Sequence, residues 1–243
     1  LTFFFTIDLS SQESDYVIPI DRSVQPKQGK NPTIDLKKPT IFTLENGLTV
    51  IVVENKKLPT FSVRVSIDNP PSSEGDKAGL NQLSSALFGE GSKNISKQVF
   101  NEEVDYLGAS ISLGMGFAYG NGLSKHKERI FELLSDAALY PNFTQEELDK
   151  EKDKLITGLK SEENSPAAIA QRVTSILAYS KDHPYGEYVS EESVKNVSLK
   201  DIENNYKKMF NPNNAYMVVS GDVNVDEIKP VSYTHLTLPT IFR

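Results

Sequence analysis

The chain has 243 residues, 38% hydrophobic and 24% charged, enough for one large globular domain or two small ones with a substantial core. A formal net charge of -7 and a pI near 5.1 argue against nucleic acid or an anionic membrane surface as the main partner. No cysteine is present, which excludes disulfides, Cys-ligated zinc and thiol catalysis, and no apolar run approaches the ~18 residues of a membrane-spanning helix.

The first residues, "LTFFFTIDLSSQES", are apolar and then turn small and polar. They read as the tail of a signal peptide's apolar region before a small-residue cleavage site, although a buried first strand would look the same. Up to residue 37 the chain mixes Pro, Gly, Ser and charge without periodicity, an extended lead-in. In "PTIFTLENGLTVIVVENKKLPTFSVRVSID" apolar residues alternate on both sides of Asn46-Gly47, the signal of a two-residue hairpin. A third strand follows over about Thr60 to Ile67.

The loop "DNPPSSEGDKA" leads into "GLNQLSSALFGEGS", Gly79 to Ser92, a short amphipathic helix ending in a glycine turn. Its residues Leu80, Leu83, Leu87 and Phe88 follow i, i+3, i+7, i+8 and are expected to face the core. Next come a helix capped by Ser96 and stopped at Gly108, and a glycine-rich hairpin in "SISLGMGFAYGNGLS". Ile130, Leu133, Leu134, Ala137 and Ala138 form the stripe of a core-facing helix that Pro141 ends. Thr144 and Glu147 predict a capping box for the charged helix after it, and Pro166 an early helical position in "SPAAIAQRVTSILAYS". An "HPYG" turn, the helix "SLKDIENNYKKMF" and the apolar strand "NAYMVVSGDV" complete the order.

Strands and helices are partly segregated, so the fold class is α+β, a two-layer sandwich of a mostly antiparallel sheet and a helical layer over residues 38–230. The tail "VSYTHLTLPTIFR" is Thr-rich and carries no helical pattern. It resembles translated adapter read-through, which would make residues 231–243 non-native and leave His235 without a role. A genuine terminal strand is the other reading.

Several stretches line up in order with one family. They are "FTLENGLTVIVVENKKLPTFSVRVSID", Gly79-Leu80 opening a helix, "VDYLGASIS", "LLSDAALYPNFTQEELDKEKDKL", "NSPAAIA", "HPYG" and "NPNNAYMVVSGDV". Over about 190 residues the chain resembles the N-terminal domain of the insulysin, pitrilysin and mitochondrial processing peptidase family of zinc metallopeptidases. The resemblance implies an α+β sandwich, of which full-length members carry two or four arranged as halves of a clam-like chamber.

Active members of that family carry H-x-x-E-H on a helix. Two His one turn apart reach a single Zn²⁺, the Glu between them acts as general base, and a distant Glu completes the ligand set. On this chain the resemblance places the first His at Gln82, the general base at Ser85, the second His at Ala86 and the third ligand at or beside Gly158. Gln is a feeble zinc ligand, Ala and Gly offer nothing, and Ser is no general base, so no catalytic residue and no metal ligand is assigned. Of the other candidates, Glu162, Glu163, Glu74 and Glu90 read as solvated charge, His183 as part of a turn and His126 as an exposed polar residue. A Ser-His-Asp arrangement lacks a G-x-S-x-G elbow.

The expectation is therefore a non-catalytic subunit or half of such a peptidase, without a cofactor, zinc belonging to active relatives only. It would pair with an active paralogue, help bind extended peptide, and lie in the periplasm or cell envelope of a bacterium, as the apolar N-terminus implies. Ser112, Leu113 and Gly114 are the candidate peptide contacts, because the family counterpart of this strand can add a substrate strand by edge pairing. In the plainer reading the strand is only the sheet edge. The alternatives are a structural scaffold of the same fold, or an autonomous zinc metalloendopeptidase. No nucleic acid and no integral membrane span are expected.

Overall fold

The computed structural model describes residues 29–31, 38–89 and 91–235, with side chains as far as 232. The expectations for the first 28 residues, Glu90 and the end of the tail lie outside the described residues. From Lys38 onward the described residues belong to a single contact unit. In chain order they form β1 (Thr40–Thr43), β2 (Thr49–Glu54), β3 (Thr60–Ile67), α1 (Leu80–Leu87), α2 (Lys97–Tyr106), β4 (Ser110–Gly114), β5 (Phe117–Leu123) and α3 (Lys127–Leu139). There follow α4 (Gln145–Glu162), α5 (Pro166–Tyr179), α6 (Glu191–Asn196), α7 (Leu199–Met209), β6 (Ala215–Gly221) and α8 (Val225–His235).

The six strands make one sheet in the order β1-β2-β6-β3-β5-β4. Every pair is antiparallel except β2 and β6, which run parallel with Val50 opposite Met217. The returning strand β6 is thus inserted between β2 and β3, so the sheet closes only when the end of the domain arrives.

β1 and β2 form the expected hairpin, but its loop is longer than the Asn46-Gly47 pair implies. Leu44 N–H donates to Leu48 O at 2.9 Å, which leaves Glu45, Asn46 and Gly47 as the loop. Asn46 Oδ1 accepts from Leu48 N–H, and Gly47 takes φ 90°, the left-handed residue that a three-residue turn requires.

Alternation along β3 buries Phe61, Val63, Val65 and Ile67 and turns Ser62, Arg64 and Ser66 to the other face. The apolar face is covered by α3, whose Ile130, Phe131, Leu133, Leu134 and Ala137 are fully buried. Their area removed from water makes this contact the main source of stability, at about 1.5–3 kcal/mol for each large side chain. β5 admits α3 by giving up side chains where they meet, since a Cβ at Gly122 would lie 2.6 Å from Ile130 Cδ1.

A second apolar cluster lies among the helices, built from Leu83 and Leu87 of α1, Leu148 of α4, Val194 of α6 and Ile202 of α7. Helix α1 belongs to both cores, because Phe88, its C-cap, sits in the sheet-side core against the rings of Phe143, Tyr206 and Phe210. Leu83, Leu87 and Phe88 are buried as expected, while Leu80 is only half-buried in the first turn.

Two further expectations are revised. Thr144 caps α4 by accepting Glu147 N–H, but Glu147 does not answer as in a capping box, its carboxylate pairing with Lys150 instead. The helical pattern also does not stop at Pro230. Helix α8 runs to His235 because Ile228 and Val231 pack onto the sheet-side core and Ser232 Oγ donates to Ile228 O, so tertiary contact outweighs the proline.

Candidate functional site

Helix α1 is fastened at its N-terminus and along its α7 side, and Glu74, read from the sequence as solvated charge, is one of the groups that hold it. At its N-terminus the Glu74 carboxylate accepts Gly79 N–H at 2.7 Å and Asn81 N–H at 3.3 Å, placing negative charge where free amides and the helix dipole favour it. Glu187 in turn accepts the N–H groups of Glu74 and Gly75, both at 2.9 Å. Lys77, just before the helix, reaches Asp201 at the start of α7 at 2.7 Å. That ammonium, together with the Ser198 hydroxyl and amide, holds the Asp201 carboxyl down at about 2. On the buried side, Asn205 Nδ2 donates to Ser84 Oγ and to Asn81 Oδ1, a polar contact inside the α1–α7 interface.

The exposed side of α1 carries Gln82 and Ala86, one helical turn apart. Both face a cleft of about 590 Å³ whose opposite wall is α4, with Leu155, Gly158, Leu159 and Glu162, and whose rim is α5, with Gln171, Arg172 and Ser175. Three of the four positions singled out from the sequence therefore meet in one place, Gln82, Ala86 and Gly158. The fourth, Ser85, is turned away from the cleft, and its Oγ accepts Met115 N–H at 3.2 Å in the turn after β4. Gly158 leaves real space, since a Cβ built there meets nothing within 4 Å.

The donor chemistry of this cleft does not fit zinc. Gln82, Ala86 and Gly158 offer one amide, a methyl and a hydrogen atom, whereas a tetrahedral site needs imidazole, thiolate or carboxylate ligands. Among the described residues no three His, Asp or Glu side chains gather closely enough to share an ion. Glu74 is occupied as the α1 cap, Glu162 lines the α4 wall, and Glu163 ends α4, exposed. His183 accepts Tyr185 N–H in the expected turn and stacks on Tyr179, and His126 is half-buried before α3 rather than exposed.

The peptide-contact candidates lie on β4, which among the described residues pairs with β5 alone and so ends the sheet. Ser112 is exposed, while Leu113 and Gly114 are buried. A Cβ at Gly114 would lie 2.9 Å from the Phe117 ring, which accounts for that glycine by crowding. Among the described residues no helix is long and apolar enough to cross a membrane.

A six-stranded α+β sandwich of this kind is the fold of solved peptidase domains of the M16, or insulinase, type. The solved inactive domain of an M16 peptidase from Pseudomonas fluorescens superposes with a TM-score of 0.71 over 81% of this chain and 49% of its own, at 20% identity. The periplasmic protease PqqL of Escherichia coli matches 86% of this chain with a TM-score of 0.67 and 15% identity, over 25% of its own length. No protein-family profile matches the chain. Among curated proteins, the uncharacterized zinc protease YmxG of Bacillus subtilis is 21% identical over 78% of this chain and 48% of its own length. The non-peptidase homolog YmxG of Helicobacter pylori is 23% identical over 73% of this chain and 43% of its own. The chain thus spans about half the length of the curated relatives it matches; it is similar to insulinase-type peptidases in fold and sequence, and it carries no H-x-x-E-H motif.

Proposed function

We propose that this chain is a non-catalytic half or subunit of an insulinase-type peptidase assembly, which pairs with an active, zinc-dependent paralogue and helps hold extended peptide. The observation that carries this reading is the cleft itself. Gln82, Ala86 and Gly158 converge on one open space, framed by intact packing, and none of these three side chains can hold a metal or take a proton from water. A binding surface without chemistry is the role left to such a domain, and relatives described as an inactive domain and a non-peptidase homolog support it. The free edge of β4, at Ser112, Leu113 and Gly114, supplies the backbone donors and acceptors that an extended peptide needs. The space between paired halves is the natural place for that peptide, and PqqL, solved also as its first half, supports a two-half arrangement. A periplasmic setting follows from the same relative. No cofactor is assigned to this half.

Co-expression with a relative carrying intact H-x-x-E-H tests the reading. The two are expected to co-purify, and peptide hydrolysis by the active partner is expected to rise on addition of this chain. If the chain neither associates with such a partner nor binds unfolded peptide, the reading fails and a structural scaffold replaces it.

A further inference from the structure

We propose that the space left by the missing metal ligands is a side-chain subsite, in which the cleft between α1, α4 and α5 receives a bulky apolar side chain of a peptide lying along β4. The proposal rests on the peptide-binding reading above and names the class of residue recognised. Ala86 and Gly158 are the smallest residues on their walls, and the volume between them is within the ~300–1,000 Å³ of ordinary ligand pockets. Half-buried Leu155, Leu159 and Val189 present apolar surface to it.

The charges around the cleft favour a neutral occupant. Glu151 is paired with Lys154 at 2.5 Å, and the Glu187 carboxylate is taken by two backbone amides. Arg172 and Glu162 remain, opposite in sign and both on the lining, so an ionised side chain of either sign meets a like charge in the cleft. Arg172 has no hydrogen-bond or ion-pair partner among the described residues, and its guanidinium donors with the Gln82 amide can meet peptide carbonyl oxygens at the rim.

The edge strand lies beside the helix that forms one wall of the cleft. Ser85 fastens α1 to the turn after β4, and Leu113 Cδ1 lies 3.8 Å from where a Cβ at Gly89 would stand, at the C-terminal end of α1. The face of β4 that carries Leu113 therefore looks toward α1. Alternate side chains of a strand added to β4 stand on that same face.

Fluorescence anisotropy with labelled peptides differing at one position (Ala, Leu, Phe, Lys or Glu) tests the proposal on the full chain. Leu and Phe peptides are expected to bind about tenfold or more tightly than the Ala, Lys and Glu peptides. Gly158→Phe, which fills the cleft from α4, is expected to abolish that preference, and Ala86→Trp, which fills it from α1, provides a second variant should the first misfold. Equal binding of all five peptides, or a preference that survives both folded variants, overturns the subsite while leaving peptide binding by β4 standing. Failure to bind any peptide overturns the peptide-binding reading and the subsite with it.

Discussion

Ser85 Oγ accepts the backbone N–H of Met115 at 3.2 Å, joining the motif helix to the turn after the edge strand. Met115 is buried, so its amide has no water to turn to when that acceptor is lost. The position to which the family resemblance assigns a general base is here part of the scaffold. Ser85→Ala is expected to lower stability by about 1–2 kcal/mol, the cost of a buried donor left without a partner. Hydrogen exchange at the Met115 amide should accelerate, with Ser85→Thr restoring protection. Unchanged exchange in the alanine variant would show that the hydroxyl carries no weight.

Gly158 lies inside α4 at a negative φ, with open cleft where a side chain would stand. An interior helical glycine has excess freedom in the unfolded chain and nothing here requires it. Gly158→Ala is expected to raise stability by about 0.5–1 kcal/mol, read as a higher urea midpoint at constant slope. A destabilised variant would mean that the cleft is closed at this point.

The Lys77–Asp201 pair gives α1 a pH dependence. Asp201 titrates at about 2 when folded, below the ~3.9 of an unfolded aspartate, so folding favours its charged form. The stabilisation is complete above pH ~4 and disappears as the pH falls toward 2. Asp201→Asn keeps an oxygen able to accept the Ser198 amide and removes the charge together with the oxygen that accepts from Lys77. With both side chains partly exposed, the substitution is expected to cost about 0.5–1 kcal/mol at neutral pH. The difference from the parent chain should vanish near pH 2, and a difference that persists there would assign it to packing.

Local periodicity made much of the fold legible. The Ile130–Ala138 stripe and the alternation in β3 state which faces are buried, because both patterns arise from a single continuous contact surface. What escaped reading depends on distant partners or on short segments. The parallel pairing of Val50 with Met217 joins residues far apart in the chain, and α6, only six residues long, is too short to display a period. The contacts of Glu74 and Asn205 look from the sequence like ordinary polar residues, and only the packing of α1 against its neighbours gives them work. The vacant positions Gln82, Ala86 and Gly158 were legible through the family resemblance. That they share a cleft with Arg172 was not, because three separate helices build it.

If that cleft has kept the geometry of a metal site, restoring ligands should restore metal. Gln82 and Ala86 sit one turn apart on the exposed side of α1, and Gly158 faces the same space from α4 with no obstruction to a side chain. The triple variant Gln82→His/Ala86→His/Gly158→Glu presents two imidazoles and a carboxylate with a fourth position open, the donor set of a tetrahedral zinc site. It is expected to bind about one zinc per chain in a titration against a competing chelator, while the parent chain binds none and the double His variant binds more weakly. Ser85 is kept, because a longer acid there would abandon the Met115 amide, so zinc binding is expected without peptide hydrolysis. A triple variant that binds no more tightly than the double would place Gly158 outside reach of the metal, and the cleft would then have drifted in shape as well as in chemistry.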